Sequence, residues 1–146
     1  MADPICVDSS LALIQVIPEP RTPLADILFR RWESTRVRLL APPLFNPEAT
    51  SVIRQKVFDR RLTTQQGEWA FAASLRWSIR ITRPPNLQHE AWSFAKTVNQ
   101  RRAYDAQYLA LANILGIEFW TGDQRLYNAS QQAGLSWVHS VEEVVL

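Results

Sequence analysis

Four acidic residues stand where the predicted elements of this chain pass from strand to helix or begin a helix. Asp8 follows the apolar stretch PICV, and Asp123 follows EFWTG, so each is expected at the carboxyl end of a strand. Glu48 and Asp105 fall in the first turns of predicted helices. A parallel α/β fold binds its ligand beyond the carboxyl ends of its strands, so these positions predict that the four carboxylates meet at one edge of a sheet.

Three of the acids also have a purely structural explanation. Asp8 and Asp123 can cap the helices that follow them, with Thr121 competing for the second role. Glu48 can interact favourably with the dipole of its helix, which is worth about 0.3 to 1 kcal/mol on a surface. Each explanation suffices for one residue. It is less easily a coincidence that all four acids lie at the end of a strand or in the first turn of a helix.

Asp105 is harder to explain as a structural residue. At about 100° per residue, Leu109 lies about 40° and Ala112 about 20° from it, so Asp105 falls within the apolar arc of its helix. Desolvating an unpaired carboxylate costs several kcal/mol, which is more than a helix dipole returns. Asp105 therefore needs a cation, a proton or an open cavity, and a salt bridge to an arginine is the structural alternative.

Carboxylates brought together repel one another unless a positive charge lies between them. Oxygen ligands without His or Cys favour Mg²⁺ or Mn²⁺ over zinc. Such an ion lowers the pKa of a bound water and neutralises charge developing on a phosphate, which suits hydrolysis of a phosphodiester by metal-activated water. The predicted metal ligands, which are also the predicted catalytic residues, are Asp8, Glu48, Asp105 and Asp123.

Other sites and compartments fit the sequence less well. The single cysteine, Cys6, lies between Ile5 and Val7 in a predicted strand, and neither His89 nor His139 has a partner at a zinc-ligand spacing. The 146 residues fit one domain, 1–146, and contain no apolar run near the roughly 18 residues of a membrane span. The start MADPICVDSS does not resemble a secretory signal, so we expect a cytoplasmic protein without membrane partners.

Strands and helices alternate along the whole sequence. Five strands are expected in PICV, VRLLAPP, RWSIRIT, EFWT and around SWV, with the third at a sheet edge because its apolar and polar residues alternate. Asn46 is the expected cap of the helix that contains Glu48, with Pro47 in its first position. This order predicts an α/β fold with a central parallel sheet of about five strands between two helical layers.

The basic residues are almost all arginines, with 14 Arg and 2 Lys against 14 acids and a net charge of +2. Arginine is well suited to bidentate contact with phosphate. If metal offsets the four acids, 16 cationic and 10 acidic side chains remain, a net charge of +6 that would favour a polyanion. Taken singly, residues such as Arg30 and Arg31 are better explained as solvated groups on helix faces.

Four stretches of the sequence resemble a known family. VDSS, LFNPEATSVIRQKV, YDAQYLALANILG and WTGDQRL occur in an order similar to that of PIN domains, most closely the VapC-type toxins of bacterial toxin-antitoxin pairs. The resemblance runs from Ile5 to about Val138, and its most specific part is the pair YDAQYLALA and TGDQRL. The middle segment RWSIRIT departs from the family by carrying more arginine.

The resemblance implies a PIN-like three-layer sandwich and a divalent-metal-dependent ribonuclease. The metal-binding acids of the family fall on the four acids named above, and Ser10 and Thr121 match polar positions that support them. It also implies RNA as the substrate, a VapB-like antitoxin as the cognate partner, and a homodimer.

Two classes of alternative function remain at this point. One is a PIN-domain nuclease that processes RNA without being a toxin, and the other is a non-catalytic protein-binding module whose acids only cap helices. A phosphotransferase is disfavoured because a haloacid-dehalogenase-like site would need an Asp where Ser10 stands. Tryptophans on predicted strands are expected in the core; they are Trp77, Trp120 and Trp137. Tryptophans on predicted helices are candidates for a dimer or antitoxin interface; they are Trp32, Trp69 and Trp92.

Overall fold

Short apolar segments with β-branched residues form the centre of the molecule, because they can bury side chains on both faces of a sheet. The computed structural model describes residues 2–146. Its five strands form one parallel sheet in the spatial order β3-β2-β1-β4-β5. The strands are β1 (Ile5–Val7), β2 (Leu39–Ala41), β3 (Ile79–Ile81), β4 (Glu118–Thr121) and β5 (Val138–Ser140).

Helices occupy the connections between these strands, as parallel pairing requires. They are α1 (Ser9–Val16), α2 (Thr22–Ser34), α3 (Phe45–Phe58), α4 (Thr64–Ser74), α5 (Leu87–Thr97), α6 (Ala106–Leu115) and α7 (Gln124–Gln132), and a 3₁₀ turn follows at Val141–Glu143. The predicted α/β sandwich around a parallel sheet of five strands is confirmed, and β3 is an edge strand as expected. No helix within residues 2–146 is long and apolar enough to cross a membrane.

Successive side chains of β1 pack on opposite faces of the sheet and so belong to different parts of the core. Cys6 belongs to a cluster packed by α5 and α6, whereas Val7 belongs to one packed by α1 and α2. The helix α6 is apolar on nearly every side and contributes five consecutive fully buried residues, 108–112. The sheet is therefore covered on both faces, and its open positions are the ends of the strands.

The chain order places a crevice beside β1. From β1 the chain adds β2 and then β3 on one side, and it returns to add β4 and β5 on the other. The strand order therefore reverses between β1 and β4. The connections that follow these two strands leave in opposite directions, so a crevice opens at their carboxyl ends. Asp8 directly follows β1, and Gly122 and Asp123 follow β4.

Two sequence predictions about helices are wrong. The helix α3 begins at Phe45 with Leu44 as its cap, so Asn46 lies inside the first turn and does not cap it. Burial of the Phe45 side chain, which is 1% exposed, extends the helix beyond the local capping signal. The second wrong prediction is Trp32 as a candidate for a dimer or antitoxin interface, because its side chain is buried in the core. Trp69 and Trp92 are exposed, at 57% and 65%, and stay candidates for such an interface.

Candidate active site

Asp8 is held at the carboxyl end of β1 by three hydrogen bonds. One oxygen, Oδ1, accepts from the Leu11 amide at 2.9 Å, which caps α1, and from the Ser10 hydroxyl at 2.7 Å. The other, Oδ2, accepts from the hydroxyl of Thr121 on β4. Asp8 is 4% exposed, and burial raises its pKa to about 7 despite these hydrogen bonds, with a further rise from the charge of Asp105.

The hydroxyls of Ser10 and Thr121 also join Asp8 to the loop that carries Asp123. Ser10 Oγ accepts from the Gly122 amide at 3.0 Å, and Thr121 Oγ1 accepts from the Asp123 amide at 2.9 Å. Each hydroxyl thus donates to one carboxylate and accepts from one backbone amide. This arrangement fixes the start of α1 against the loop between β4 and α7.

Glu48 is positioned from two other helices. Its Oε1 accepts hydrogen bonds from the hydroxyl of Ser9 on α1 and from the hydroxyl of Tyr108 on α6, the latter at 2.8 Å. Tyr108 is fully buried and stacks on Phe119 with ring centroids 5.9 Å apart. Burial, and then the charge of Glu48, raise the pKa of Tyr108, so its hydroxyl stays protonated and can donate.

Asp105 and Asp123 have freer carboxylate oxygens. Asp105 stands at the N-cap of α6, yet its side chain accepts no hydrogen bond from the described residues. Burial raises its pKa to about 6, and the charges of Asp123 and Glu48 add to the rise. Asp123 caps α7 through Oδ1 alone, which accepts from the Arg125 and Leu126 amides at 3.0 and 3.2 Å.

All four carboxylates line one cavity of about 440 Å³ at the crevice beside β1. Across residues 2–146, none of them has an arginine, lysine or histidine nitrogen within 4 Å. The cavity also contains Arg21 and Lys56, but Arg21 pairs with Glu19 at 2.8 Å. The structural alternative for Asp105, a salt bridge to an arginine, is therefore absent from the described part of the chain.

The donor set of this cavity fits a hard divalent cation. It offers carboxylate oxygens without neutralising side chains, and burial together with neighbouring negative charge raises the pKa of two of them, Asp8 and Asp105. No three Asp, Glu, His or Cys side chains in residues 2–146 are already gathered closely enough to hold an ion. The four acids nonetheless share the cavity, and the charges of Asp123 and Glu48 raise the pKa of Asp105, so a bound cation would draw the carboxylates together.

A second large cavity, of about 580 Å³, lies at the opposite ends of β1 and β4. Its charged residues are Asp3 and Glu118, and its other lining groups are mostly apolar or backbone. It lies away from the crevice that the chain order creates and lacks a cluster of reactive side chains. We therefore assign the candidate chemistry to the acidic cavity.

Several residues in or next to the acidic cavity were not singled out by the sequence. Ser9 and Tyr108 donate to Glu48, and Lys56 and Arg21 supply its positive charges. Tyr108 lies in the largely apolar run YLALA and is buried, but its hydroxyl reaches a residue 60 positions away. The ligand roles of the four acids, and the supporting roles of Ser10 and Thr121, stay predictions.

No protein-family model matches the sequence, and no curated protein matches it significantly. Several solved structures are similar to the chain, among them the following two. The crystal structure of PAE2754 from Pyrobaculum aerophilum has a TM-score of 0.65 and 18% identity, covering 98% of this chain and 94% of that chain. The crystal structure of VapC20 from Mycobacterium tuberculosis, a sarcin-ricin loop cleaving toxin, has a TM-score of 0.59 and 21% identity, covering 86% of this chain and 94% of that chain.

At these identities the comparison establishes the fold. The chain has the PIN-like α/β fold shared with VapC20, so the fold that the sequence resemblance implies is confirmed.

Proposed function

We propose that the protein is a ribonuclease that depends on Mg²⁺ or Mn²⁺ and hydrolyses RNA phosphodiester bonds. The observation that carries the proposal is the cavity lined by four carboxylates, none of which has a cationic side chain within 4 Å in the described residues. Purely structural acids would be expected to pair with some of the 16 Lys and Arg residues of the chain.

The four acids would hold the ion, and their neighbours would orient them. Thr121 and Ser10 fix the direction of the Asp8 carboxylate, and Tyr108 does the same for Glu48. Such supporting hydrogen bonds position metal ligands and limit their motion. Asp105 accepts no comparable hydrogen bond, so it is the acid most free to adjust to an ion and a phosphate. When bound, Mg²⁺ or Mn²⁺ supplies a water of lowered pKa and neutralises negative charge on the phosphate.

The test is cleavage of RNA by purified protein after removal of metal and addition of Mn²⁺. Asp105→Asn should lower the rate by at least about 100-fold, since even the partners of metal ligands often contribute 10- to 100-fold. Glu68→Gln, at an exposed position of α4, is the matched control for loss of one negative charge. Normal cleavage by folded Asp105→Asn protein, or equal cleavage with and without metal, would contradict the proposal.

We further propose that this ribonuclease is the toxin of a toxin-antitoxin pair, acting as a homodimer with a VapB-like antitoxin. The support is the structural similarity to VapC20, a sarcin-ricin loop cleaving toxin. Expression of the protein, but not of its Asp105→Asn variant, should arrest growth, and co-expression of the antitoxin should relieve the arrest. Cleavage without growth arrest would favour an RNA-processing nuclease, and absence of Mn²⁺ binding would favour a non-catalytic binding module.

A further inference from the structure

The acidic cavity extends as a groove between α1 and α3. Leu13 and Ile14 of α1, with Ile17 directly after it, line one wall, and Val52 of α3 lines the other. The acids stand at the amino-terminal ends of the helices, and the groove reaches Lys56 near the carboxyl end of α3. The groove thus has an acidic end and, beyond an apolar middle, a basic end.

Glu48 and Lys56 face the same groove because they lie on one ridge of α3. Glu48, Val52 and Lys56 are spaced four residues apart, and such residues follow one face of a helix. At about 1.5 Å per residue, the two charged positions are about 12 Å apart along the axis of α3. Side chains on a helix lean toward its amino terminus, so the lysine reaches back toward the acids.

The two cations of the groove differ in how they are paired. Arg21 donates to both carboxylate oxygens of Glu19, at 2.8 and 3.0 Å, and to the Gly122 carbonyl at 2.6 Å. Lys56 is half-buried, and no carboxylate of the described residues lies within 4 Å of it. It does lower the pKa of Glu19 from a longer distance, as the smallest of several influences led by the hydrogen bond from Arg21.

We infer that Lys56 binds an RNA backbone phosphate next to the one at the four acids, and so positions the substrate along the groove. This inference rests on the proposed ribonuclease function and adds a residue to it. A half-buried ammonium without a carboxylate partner is a ready site for a phosphate oxygen, because lysine acts as a compact point charge. The apolar wall between the two ends can receive the sugar and base that join the two phosphates. Arg21, already engaged by Glu19, serves to hold the loop that follows β4.

The chain provides a matched control, because Lys96 is its only other lysine. Lys96 lies on α5, with its ammonium 5.8 Å from the centre of the exposed Trp92 ring, and it does not line the acidic cavity. Cleavage of a single-stranded RNA oligonucleotide with Mn²⁺ would be measured for wild-type protein and for Lys56→Gln, Lys56→Arg and Lys96→Gln. Thermal unfolding of each variant would confirm that it is folded.

Lys56→Gln should raise KM about 10-fold and change kcat much less, since it removes a charged contact away from the reacting phosphate. The slope of log affinity against log salt should fall by about 0.7, the value for one lost phosphate contact on a single strand. Lys56→Arg should retain most of the affinity, and Lys96→Gln should match the wild type. A purely structural role for Lys56 would alter stability without changing the salt slope.

A second measurement does not depend on turnover or on replacing Lys56. In the Asp105→Asn variant, the two lysines can be acetylated with and without RNA and compared by mass spectrometry, with Lys96 as the internal reference. RNA should slow acetylation of Lys56 and leave that of Lys96 unchanged.

The outcomes separate this inference from the proposed function. If wild-type protein cleaves RNA while Lys56→Gln shows unchanged KM and salt slope, or if RNA protects both lysines equally, the role of Lys56 is overturned and the ribonuclease stands. If wild-type protein neither binds nor cleaves RNA with Mn²⁺, the ribonuclease proposal itself fails, and the inference fails with it.

Discussion

Replacing Asp8 with asparagine should stabilise the metal-free protein at neutral pH while weakening its affinity for metal. Asp8 is buried beside other acids, so its negative charge is unfavourable in the folded protein. Asparagine keeps the oxygen that caps α1 and is as good a capping residue. Its amide group would face the hydroxyl of Thr121, which can rotate to accept a hydrogen bond.

The size and sign of the effect follow from the pKa of Asp8. It is about 7 in the folded protein against an ordinary value of 3.8, so the folded state binds the proton more tightly than the unfolded state. Stability is therefore highest when Asp8 is protonated, and it falls as the pH rises from about 4 to about 7. At about 1.36 kcal/mol per pH unit, the shift corresponds to about 4 kcal/mol lost by pH 8. Asp8→Asn should recover this free energy at pH 8 and differ little from wild type at pH 4.

Urea unfolding in the presence of a chelator, followed by the fluorescence of the six tryptophans, measures the difference directly. Wild type, Asp8→Asn and the exposed control Glu68→Gln would be compared at several pH values between 4 and 8. Mn²⁺ at about 100 times its dissociation constant should then add about 2.7 kcal/mol to wild type, and far less to Asp8→Asn.

The reasoning would be refuted by a stability difference that does not change with pH. It would be refuted equally if Asp8→Asn lowered stability at pH 8 in metal-free solution, because Asp8 would then be a net stabilising cap. If Mn²⁺ stabilised Asp8→Asn as much as wild type, Asp8 would be excluded as a metal ligand, and the argument from the pH dependence would be unaffected.

Three further variants test the surroundings of the site and the packing of the helices. Thr121→Val removes the donor to Oδ2 of Asp8, so we expect a loss of about 1–3 kcal/mol at pH 8 and a smaller loss at pH 4, measured by the same urea titration. Tyr108→Phe keeps the buried ring but removes its hydroxyl, so Mn²⁺ affinity measured by calorimetry should fall about 10- to 100-fold; unchanged affinity would contradict a supporting role. Gly67→Ala should destabilise the protein by about 1–3 kcal/mol, because a Cβ there would lie 2.2 Å from Cγ2 of Val57. Val57→Ala in the same chain should recover most of that loss in thermal unfolding, and a normal stability of the single variant would show that the two helices are not tightly packed there.

Local patterns were sufficient to predict the parallel sheet and the elements that cover it. Apolar runs of strand length alternated with helical periodicity, and parallel pairing followed because each pair of strands is separated by a helix. Polar and apolar alternation in RWSIRIT identified β3 as an edge strand, since an edge needs only one face buried. Positions after β1 and β4 could be assigned to one edge of the sheet without any knowledge of side-chain contacts.

What the sequence could not supply were contacts between distant elements and choices between competing local signals. Tyr108 has the periodicity of a core residue, and nothing local shows that its hydroxyl ends beside Glu48 on another helix. At the start of α3, the capping signal of Asn46 was outweighed by burial of Phe45. Trp32 on α2 was a candidate for an interface, and the structure instead packs it in the core, with its ring against those of Phe29 and Trp120.

The capping and metal-binding interpretations of the acids describe the same geometry. An acid that caps a helix at the end of a strand is oriented by backbone amides, and Asp123 uses one oxygen for the cap and keeps the other free. Asp8 uses both oxygens, yet its raised pKa shows that the cap and the hydroxyls do not offset the cost of burying its charge. Capping alone would be served as well by serine or asparagine, which carry no charge. Capping therefore leaves the negative charge unexplained, and the proposed cation, shared with Asp105, would account for it.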